Sequence, residues 1–300
     1  MEAKGGGDRK SENFKNKIKL NDSLSLIFRI DRAAKILDTS RQTLTRAKAV
    51  VDYGNRKLVE EMDKSDNVNK AYGEMRRLKR EEDLDLKEYE GSKVIKDIKP
   101  GWHKLGNQYL YYGSNLEKQF IKYLPKCKLA FADPPYNAGV DDWDKDFKWK
   151  QDYLQDVAEI VAVTPGGWNA FNFYRETNMI YVWEMGCWIS NGMTHGKCGY
   201  ANFIKTSIFS KGKVKIPQDC FEITIKTSET KDTKHKGRKP YAYMWQIIDT
   251  FTSKKDYIVD PFAGSGTTLL MSKKMERVSY NAEIKKEHCL KIIKRANSGL

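Results

Sequence analysis

Long apolar runs are missing from this sequence. None approaches the roughly 20 residues that a bilayer span needs, and the opening MEAKGGGDRKSENFKNKIKL holds no hydrophobic segment to serve as a secretory signal. Membrane insertion and secretion are therefore not expected. Cysteine is sparse and unpatterned: Cys127, Cys187, Cys198, Cys220 and Cys289 are odd in number and include no CxxC pair, while the four histidines fall in no metal-ligand spacing. Reduced, structural thiols and no metal centre are expected. Internal repeats and low-complexity tracts are also lacking. So is an acidic balance, since 54 Lys and Arg against 40 Asp and Glu leave a net charge of +14. That excess favours a polyanionic partner, with nucleic acid foremost. Residues 1–100 carry +5 of it and residues 101–300 carry +9, so the basic character is shared.

With 40% hydrophobic and 31% charged residues in 300, the chain is too apolar for disorder and long enough for about two folding units. Residues 1–22 read as a flexible basic arm, 23–92 as a helical region, 93–101 as a Gly, Pro and Lys-broken linker, and 102–300 as a second domain. Beyond Gly106 short apolar runs alternate with helix-length stretches. NQYLYYG, KLAFAD, WNAFNFY, FEITIK, YIVD and VSYNAE read as strands; 151–162, 176–185 and 241–250 read as helices. This alternation predicts an α/β fold with a mainly parallel sheet covered on both faces. Ligands in such sheets sit beyond the carboxyl ends of the strands.

Two strand ends stand out. KLAFADPPYNAG closes an apolar strand on Asp133, followed by Pro134, Pro135 and Tyr136. The prolines stiffen the chain and remove two N–H donors. A carboxylate, a fixed carbonyl and an aromatic ring then stand side by side, suited to a planar molecule bearing an NH₂ group, such as a nucleobase with an exocyclic amine. An ordinary Asp-Pro-Pro turn is the other reading of the tetrapeptide alone.

YIVDPFAGSGTTLLMSKK closes a second strand on Asp260 and passes through Gly264 and Gly266 into a helix that starts at Thr267. Glycines allow close backbone approach, and a helix N-terminus favours a carboxylate or phosphate. The turn lacks the lysine of a phosphate-binding P-loop and the third glycine of the dinucleotide fingerprint, which argues against nucleotide hydrolysis and hydride transfer. Seventeen residues after Gly266 a further strand ends on Glu283, near the spacing at which an acidic side chain takes up ribose hydroxyls. An adenosine-containing cofactor follows.

DPPY at 133–136 together with DPFAGSGTT at 260–268 resembles the S-adenosylmethionine-dependent amino-methyltransferases of DNA, which methylate adenine N6 or cytosine N4. DPPY preceding the Gly-rich motif resembles the permuted, beta-class order. The likeness runs over most of residues 102–297 and includes LYYGSN, TPGGW at 164–168, KP at 239–240 and NAE at 281–283. It implies a Rossmann-like methyltransferase sheet beside a small all-helical N-terminal domain, with S-adenosylmethionine as cofactor and DNA as partner. The implied catalytic set is Asp133, Pro134, Pro135 and Tyr136. The implied cofactor set is Asp260, Phe262, Ala263, Gly264, Ser265, Gly266, Thr267 and Glu283, with Lys239 and Pro240 lining the same pocket. Direct transfer to a flipped adenine N6 is the implied reaction. Cytosine N4, a non-catalytic DNA-binding subunit and an RNA substrate are the alternatives. Ser114 stands where the family commonly has aspartate, and NAE replaces the usual GIE. A homodimer, no nuclease in this chain, and a cytoplasmic, nucleoid-associated location (nuclear in a eukaryote) complete what the resemblance implies.

Residues 28–51, FRIDRAAKILDTSRQTLTRAKAVV, read as two helices broken at Asp38–Ser40, with Ser40 capping the second. This helix-turn-helix pattern resembles the DNA-binding region of ParB-type partition proteins. Its second helix offers Arg41, Gln42, Thr43 and Arg46 to base edges and phosphates. A helical lid over the catalytic domain is the competing reading. KGKVK at 211–215 and KDTKHKGRK at 231–239 are further candidate phosphate contacts.

Overall fold

A computed structural model of the chain describes residues 34, 38–83, 87–88, 95, 97–139, 144–192, 194–196, 199–226, 229 and 238–298. The expected arm at 1–22 and residues 231–237 of the second basic run lie outside them. So does the first helix of the helix-turn-helix, apart from Ala34. The chain divides into two units, 1–83 and 84–300.

The first unit is helical. Helices α1 (Arg41–Tyr53), α2 (Arg56–Ser65) and α3 (Val68–Asp83) enclose a small core of Val50, Leu58, Met62, Ala71 and Met75. Polar caps set their starts. The Ser40 hydroxyl accepts the Thr43 N–H at 3.0 Å, as expected from the sequence, and Asn55 and Asn67 accept the N–H groups of Leu58 and Lys70. Each cap contributes about 1 kcal/mol. Gly54, at φ 77°, ends α1 in the left-handed conformation and turns the chain into α2.

The second unit is built on a ten-stranded sheet. Its strands are β1 (Lys87–Glu88), β2 (Gly101–Leu105), β3 (Gln108–Tyr112), β4 (Cys127–Ala132), β5 (Ala158–Val163), β6 (Tyr181–Ile189), β9 (Phe203–Phe209), β10 (Cys220–Ile223), β11 (Tyr257–Asp260) and β12 (Val278–Glu283), while β7 (Thr194–Gly196) and β8 (Gly199–Ala201) pair separately. The spatial order is β1-β2-β3-β12-β11-β4-β5-β9-β6-β10. From β3 through β12, β11, β4 and β5 every pairing is parallel; the antiparallel pairs are β2–β3, β5–β9 and β9–β6. Helices α4 (Lys118–Tyr123), α5 (Leu154–Val157), α6 (Gly166–Glu176), α7 (Tyr241–Phe251) and α8 (Thr267–Lys274) occupy the connections, and α9 (Lys286–Asn297) follows β12.

Alternation along the central strands places a core on each face of the sheet. Leu129 and Phe131 of β4 pack with Ile247, Leu269 and Ile292 of α7, α8 and α9. Ala130 and Ala132 face the other way, toward Phe120, Phe173, Trp102 and Tyr109. Each fully buried Leu, Ile or Phe stabilises the fold by about 1.5–3 kcal/mol.

Four local expectations are overturned. WNAFNFY is not a strand but lies within helix α6, where Asn169 and Phe173 are buried at helical spacing while Trp168 and Phe171 are exposed. The outward aromatic residues disguise the helix as a strand-like apolar run. Conversely, 151–162 holds only the single turn α5 before AEIVAV becomes the central strand β5. Past the exposed Glu159, its IVAV is an apolar run buried on both faces, with no period to distinguish it from a helix. Expected helix 176–185 gives way to β6 from Tyr181, and Lys87–Glu88 pairs with β2 where helix was expected.

Candidate active site

Three carboxylates gather at the carboxyl ends of three adjacent parallel strands. Asp133 follows β4, Asp260 ends β11 and Glu283 ends β12. From β4 the chain continues to β5 on one side, and β11 and β12 return on the other, so the crevice lies where the strand order reverses. It opens into a cavity of about 520 Å³ lined by Asp133, Pro134, Pro135, Tyr136, Lys239, Asp260, Phe262, Ala263, Gly264, Ser265, Thr267 and Glu283. Loops 124 residues apart in the chain thus face one space. Two expected residues stand behind it. Gly266 caps α8 at φ 79°, where a Cβ would meet Ile292 at 2.9 Å, and Pro240 caps α7.

On the Asp-Pro-Pro-Tyr side, Asp133 is heavily engaged. Its Oδ1 accepts the hydroxyls of Tyr136 and Thr164, each at 2.5 Å, and Lys239 Nζ at 2.6 Å; its Oδ2 accepts Lys239 Nζ, also at 2.6 Å. Lys239, placed by sequence with the cofactor set, thus carries its ammonium to Asp133, where it is only 9% exposed. Burial, then the Asp133 charge, push the Tyr136 hydroxyl well above its ordinary pKa, so it is a neutral donor. The loop after the motif is clamped by buried Asp144, whose carboxylate accepts the Tyr136 N–H at 2.5 Å and the Ala138 N–H at 3.0 Å. Asn137 adds hydrogen bonds to the Phe147 carbonyl and to Asn169 of α6.

On the Gly-rich side, the Glu283 carboxylate accepts the N–H groups of Gly264 and Lys285, each at 2.8 Å, with His288 Nδ1 at 3.5 Å. Gly264 adopts φ 50°. Burial pushes the Asp260 carboxyl up to about 7, against the pull of the Thr268 hydroxyl and the Phe262 N–H; the Asp133 and Glu283 charges push the same way. Arg295 holds the turn from behind by donating to the Ser265 carbonyl and the Tyr241 hydroxyl. Asn115, in the loop after β3, donates to the Pro261 carbonyl at 2.8 Å and ties a third loop to the site. Phe262 and Phe147 meet edge to face at 5.6 Å, giving the cavity an apolar wall. Ser114, where the family commonly has aspartate, also lines the cavity.

Sequence reasoning missed Thr164, Asp144 and Asn115 as supports of the site. TPGGW was noticed as a segment, but no local signal directs its threonine to a carboxylate 31 residues earlier. Of the four α1 candidates, Arg41 and Gln42 are exposed. Thr43 shares a hydroxyl contact with Ser40, and Arg46 is held within the helical unit by Asn69 at 2.6 Å and lies 5.6 Å from the Tyr72 ring centroid. Lys211, Lys213 and Lys215 sit exposed between β9 and β10, with Lys211 paired to Asp156 at 2.5 Å. Among the described residues no three His, Cys, Asp or Glu side chains gather to hold a metal ion, and no helix is long and apolar enough to cross a membrane.

The N6_N4_Mtase family, DNA methylase, matches residues 127–295, which contain all three carboxylates. The type II methyltransferase M2.DpnII of Streptococcus pneumoniae is 40% identical, over 62% of this chain and 91% of that protein. M.HindIII of Haemophilus influenzae is 34% identical over 31% of this chain, and the match spans only 26% of that relative's length. Among solved structures, M1.HpyAVI in complex with SAM aligns at TM-score 0.48 and 22% identity, covering 62% of this chain and 98% of that one. The chain belongs to the N6/N4 DNA methylase family.

Proposed function

We propose that the protein transfers a methyl group from S-adenosylmethionine to the exocyclic N6 of an adenine flipped out of DNA, as a beta-class enzyme. The observation that carries this reading is the opening of Asp133, Pro134 and Tyr136 onto the same cavity as the Gly264 turn and Glu283.

The cavity fits the cofactor. Its volume suits a ligand of nucleoside and amino-acid size. Glu283 would hold the ribose hydroxyls, Phe262 the apolar surroundings, and Asp260 with the Ser265 to Thr267 turn the methionine end. When bound, the cofactor supplies an electrophilic methyl group on a sulfonium. The rest falls to this chain. An adenine N6 lone pair is delocalised into the ring and is a poor nucleophile. Asp133 and the Pro134 carbonyl would each accept a hydrogen bond from the amine and localise that lone pair on nitrogen. The nitrogen would then gain the methyl as the methyl–sulfur bond breaks to leave a neutral thioether, and the methylated amine would shed one N–H proton by way of the Asp133 carboxylate. Tyr136 would stack on the extruded ring, whose removal from the duplex costs a few kcal/mol. Asp133 in place of the serine commoner among cytosine-N4 enzymes supports adenine. The helical unit would contact DNA through Arg41 and Gln42, as in ParB-type proteins.

The test is purified protein with methyl-labelled S-adenosylmethionine and unmodified genomic DNA, followed by mass spectrometry of the nucleosides. N6-methyladenine is expected. N4-methylcytosine alone overturns the adenine assignment, and transfer confined to structured RNA overturns DNA as substrate.

A further inference from the structure

One ammonium bridges the Asp133 carboxylate. Its Oδ1 accepts three hydrogen bonds, from Tyr136, Thr164 and Lys239, while its Oδ2 accepts one, and that one also comes from Lys239. The Lys239 ammonium donates its third hydrogen to the Tyr136 hydroxyl at 2.6 Å. A nitrogen bearing N–H donors therefore sits against the aspartate and the tyrosine of the motif, where the preceding reading seats the N–H donors of the target amine.

We propose that Lys239 is a placeholder for the substrate amine, holding its seat on Asp133 and yielding it when the flipped base docks; this rests on the amino-methyltransferase reading. Lys239 Nζ stands 2.6 Å from both carboxylate oxygens, so the ammonium must leave if the amine is to take the seat between them. Thr164 is a short side chain anchored directly after β5. Tyr136 is wedged where a Cβ on Gly166 would stand 2.5 Å from its ring. Lys239 alone reaches the carboxylate on a long flexible stem with a compact, rotatable head. Its departure exposes the negative charge of Asp133 only when a base is present to receive it. Until the base docks, the ammonium keeps the carboxylate paired and orders Tyr136 through its hydroxyl.

The experiment compares wild type, Lys239→Met and Lys239→Arg. Each binds a duplex spanning a site marked by the transfer assay, and the same duplex with the target base removed, with S-adenosylhomocysteine present to prevent turnover. The ratio of the two affinities isolates the base seat from phosphate contacts. Lys239→Met, which removes the competitor, is expected to raise the preference for the base-bearing duplex roughly tenfold, the worth of one hydrogen-bonded competitor. Lys239→Arg, whose planar fork grips a carboxylate more firmly, is expected to lower it. A merely structural or phosphate-binding lysine predicts the opposite order. Unchanged ratios, or a lower one in Lys239→Met, with wild-type transfer intact, overturn the placeholder and leave the methyltransferase reading standing. No transfer by wild type overturns that reading itself. If Lys239→Met does not fold, the arginine variant decides, because a ratio at or above wild type is then fatal.

Discussion

Gly166 and Tyr136 share a contact that only glycine permits: a Cβ on Gly166 would stand 2.5 Å from the Tyr136 ring, and Gly166 itself lies at φ 68°. The first residue of α6 thereby forms the back of the aromatic residue's seat. Asp144, accepting the Tyr136 backbone N–H, holds it from the other side.

Gly166→Ala is expected to displace the Tyr136 ring and destabilise the protein by about 1–3 kcal/mol through crowding and left-handed backbone strain. Gly167→Ala, at a position with open space around it, is the control. Steady-state transfer and thermal melting would be measured for both. Wild-type turnover in Gly166→Ala would show that the ring position is immaterial to the reaction.

Asp260 makes stability pH-dependent in a defined direction. Its carboxyl is raised from 3.8 to about 7 by burial, so between those values the folded chain holds a proton that the unfolded chain has lost. The stabilisation is complete below the ordinary carboxylate pKa and disappears as pH rises through about 7. From 3.8 to 7 it corresponds to about 4 kcal/mol. Asp260→Asn keeps an acceptor for the Phe262 N–H and cannot ionise, so its stability relative to wild type is expected to grow from pH 5 to pH 8 (values chosen to bracket that range). Urea unfolding at both values checks this; parallel pH profiles would remove the assignment.

Glu283→Gln tests the Gly-rich turn. The carboxylate satisfies two backbone N–H groups at once, whereas the amide offers one oxygen and sets its NH₂ against the second donor. The orphaned N–H costs about 1–3 kcal/mol. Weaker binding of S-adenosylmethionine by titration calorimetry is expected, by roughly tenfold or more. Unaltered affinity would exclude Glu283 from the cofactor site.

In the helical unit, Arg41 and Arg46 are expected to separate. Arg41→Ala is expected to weaken DNA binding and reduce the salt-dependence slope by about 1, as for a lost phosphate contact. Arg46→Ala removes the Asn69 and Tyr72 contacts and is expected to lower the melting temperature first. Fluorescence anisotropy across a salt series, with melting in parallel, distinguishes them. Equal salt slopes in wild type and Arg41→Ala would dismiss α1 as a DNA contact.

Some of this architecture was legible because its cause is local. β4, β11 and β12 each pack their apolar side chains into the cores on the sheet's faces, and Pro or Gly breaks follow the first two at once. Helix α7 was equally plain: it was expected over 241–250 and runs Tyr241–Phe251. The middle of the chain was misread where burial and hydrophobicity part company. In α6 the apolar Phe171 is exposed and the polar Asn169 buried, the reverse of what a residue's own chemistry suggests.

The strand-end positions of Asp133, Asp260 and Glu283 were legible in the sequence, since a strand's end and the residue that follows it are set by neighbours a few positions away. Which side chains answer those carboxylates was decided by strand order. That β4 lies between β11 and β5 is what brings Thr164 and, across 106 residues, Lys239 to Asp133. Side-chain alternation specifies the face on which a residue lies but carries no address for its partner across the sheet; only the closed tertiary packing supplies that address.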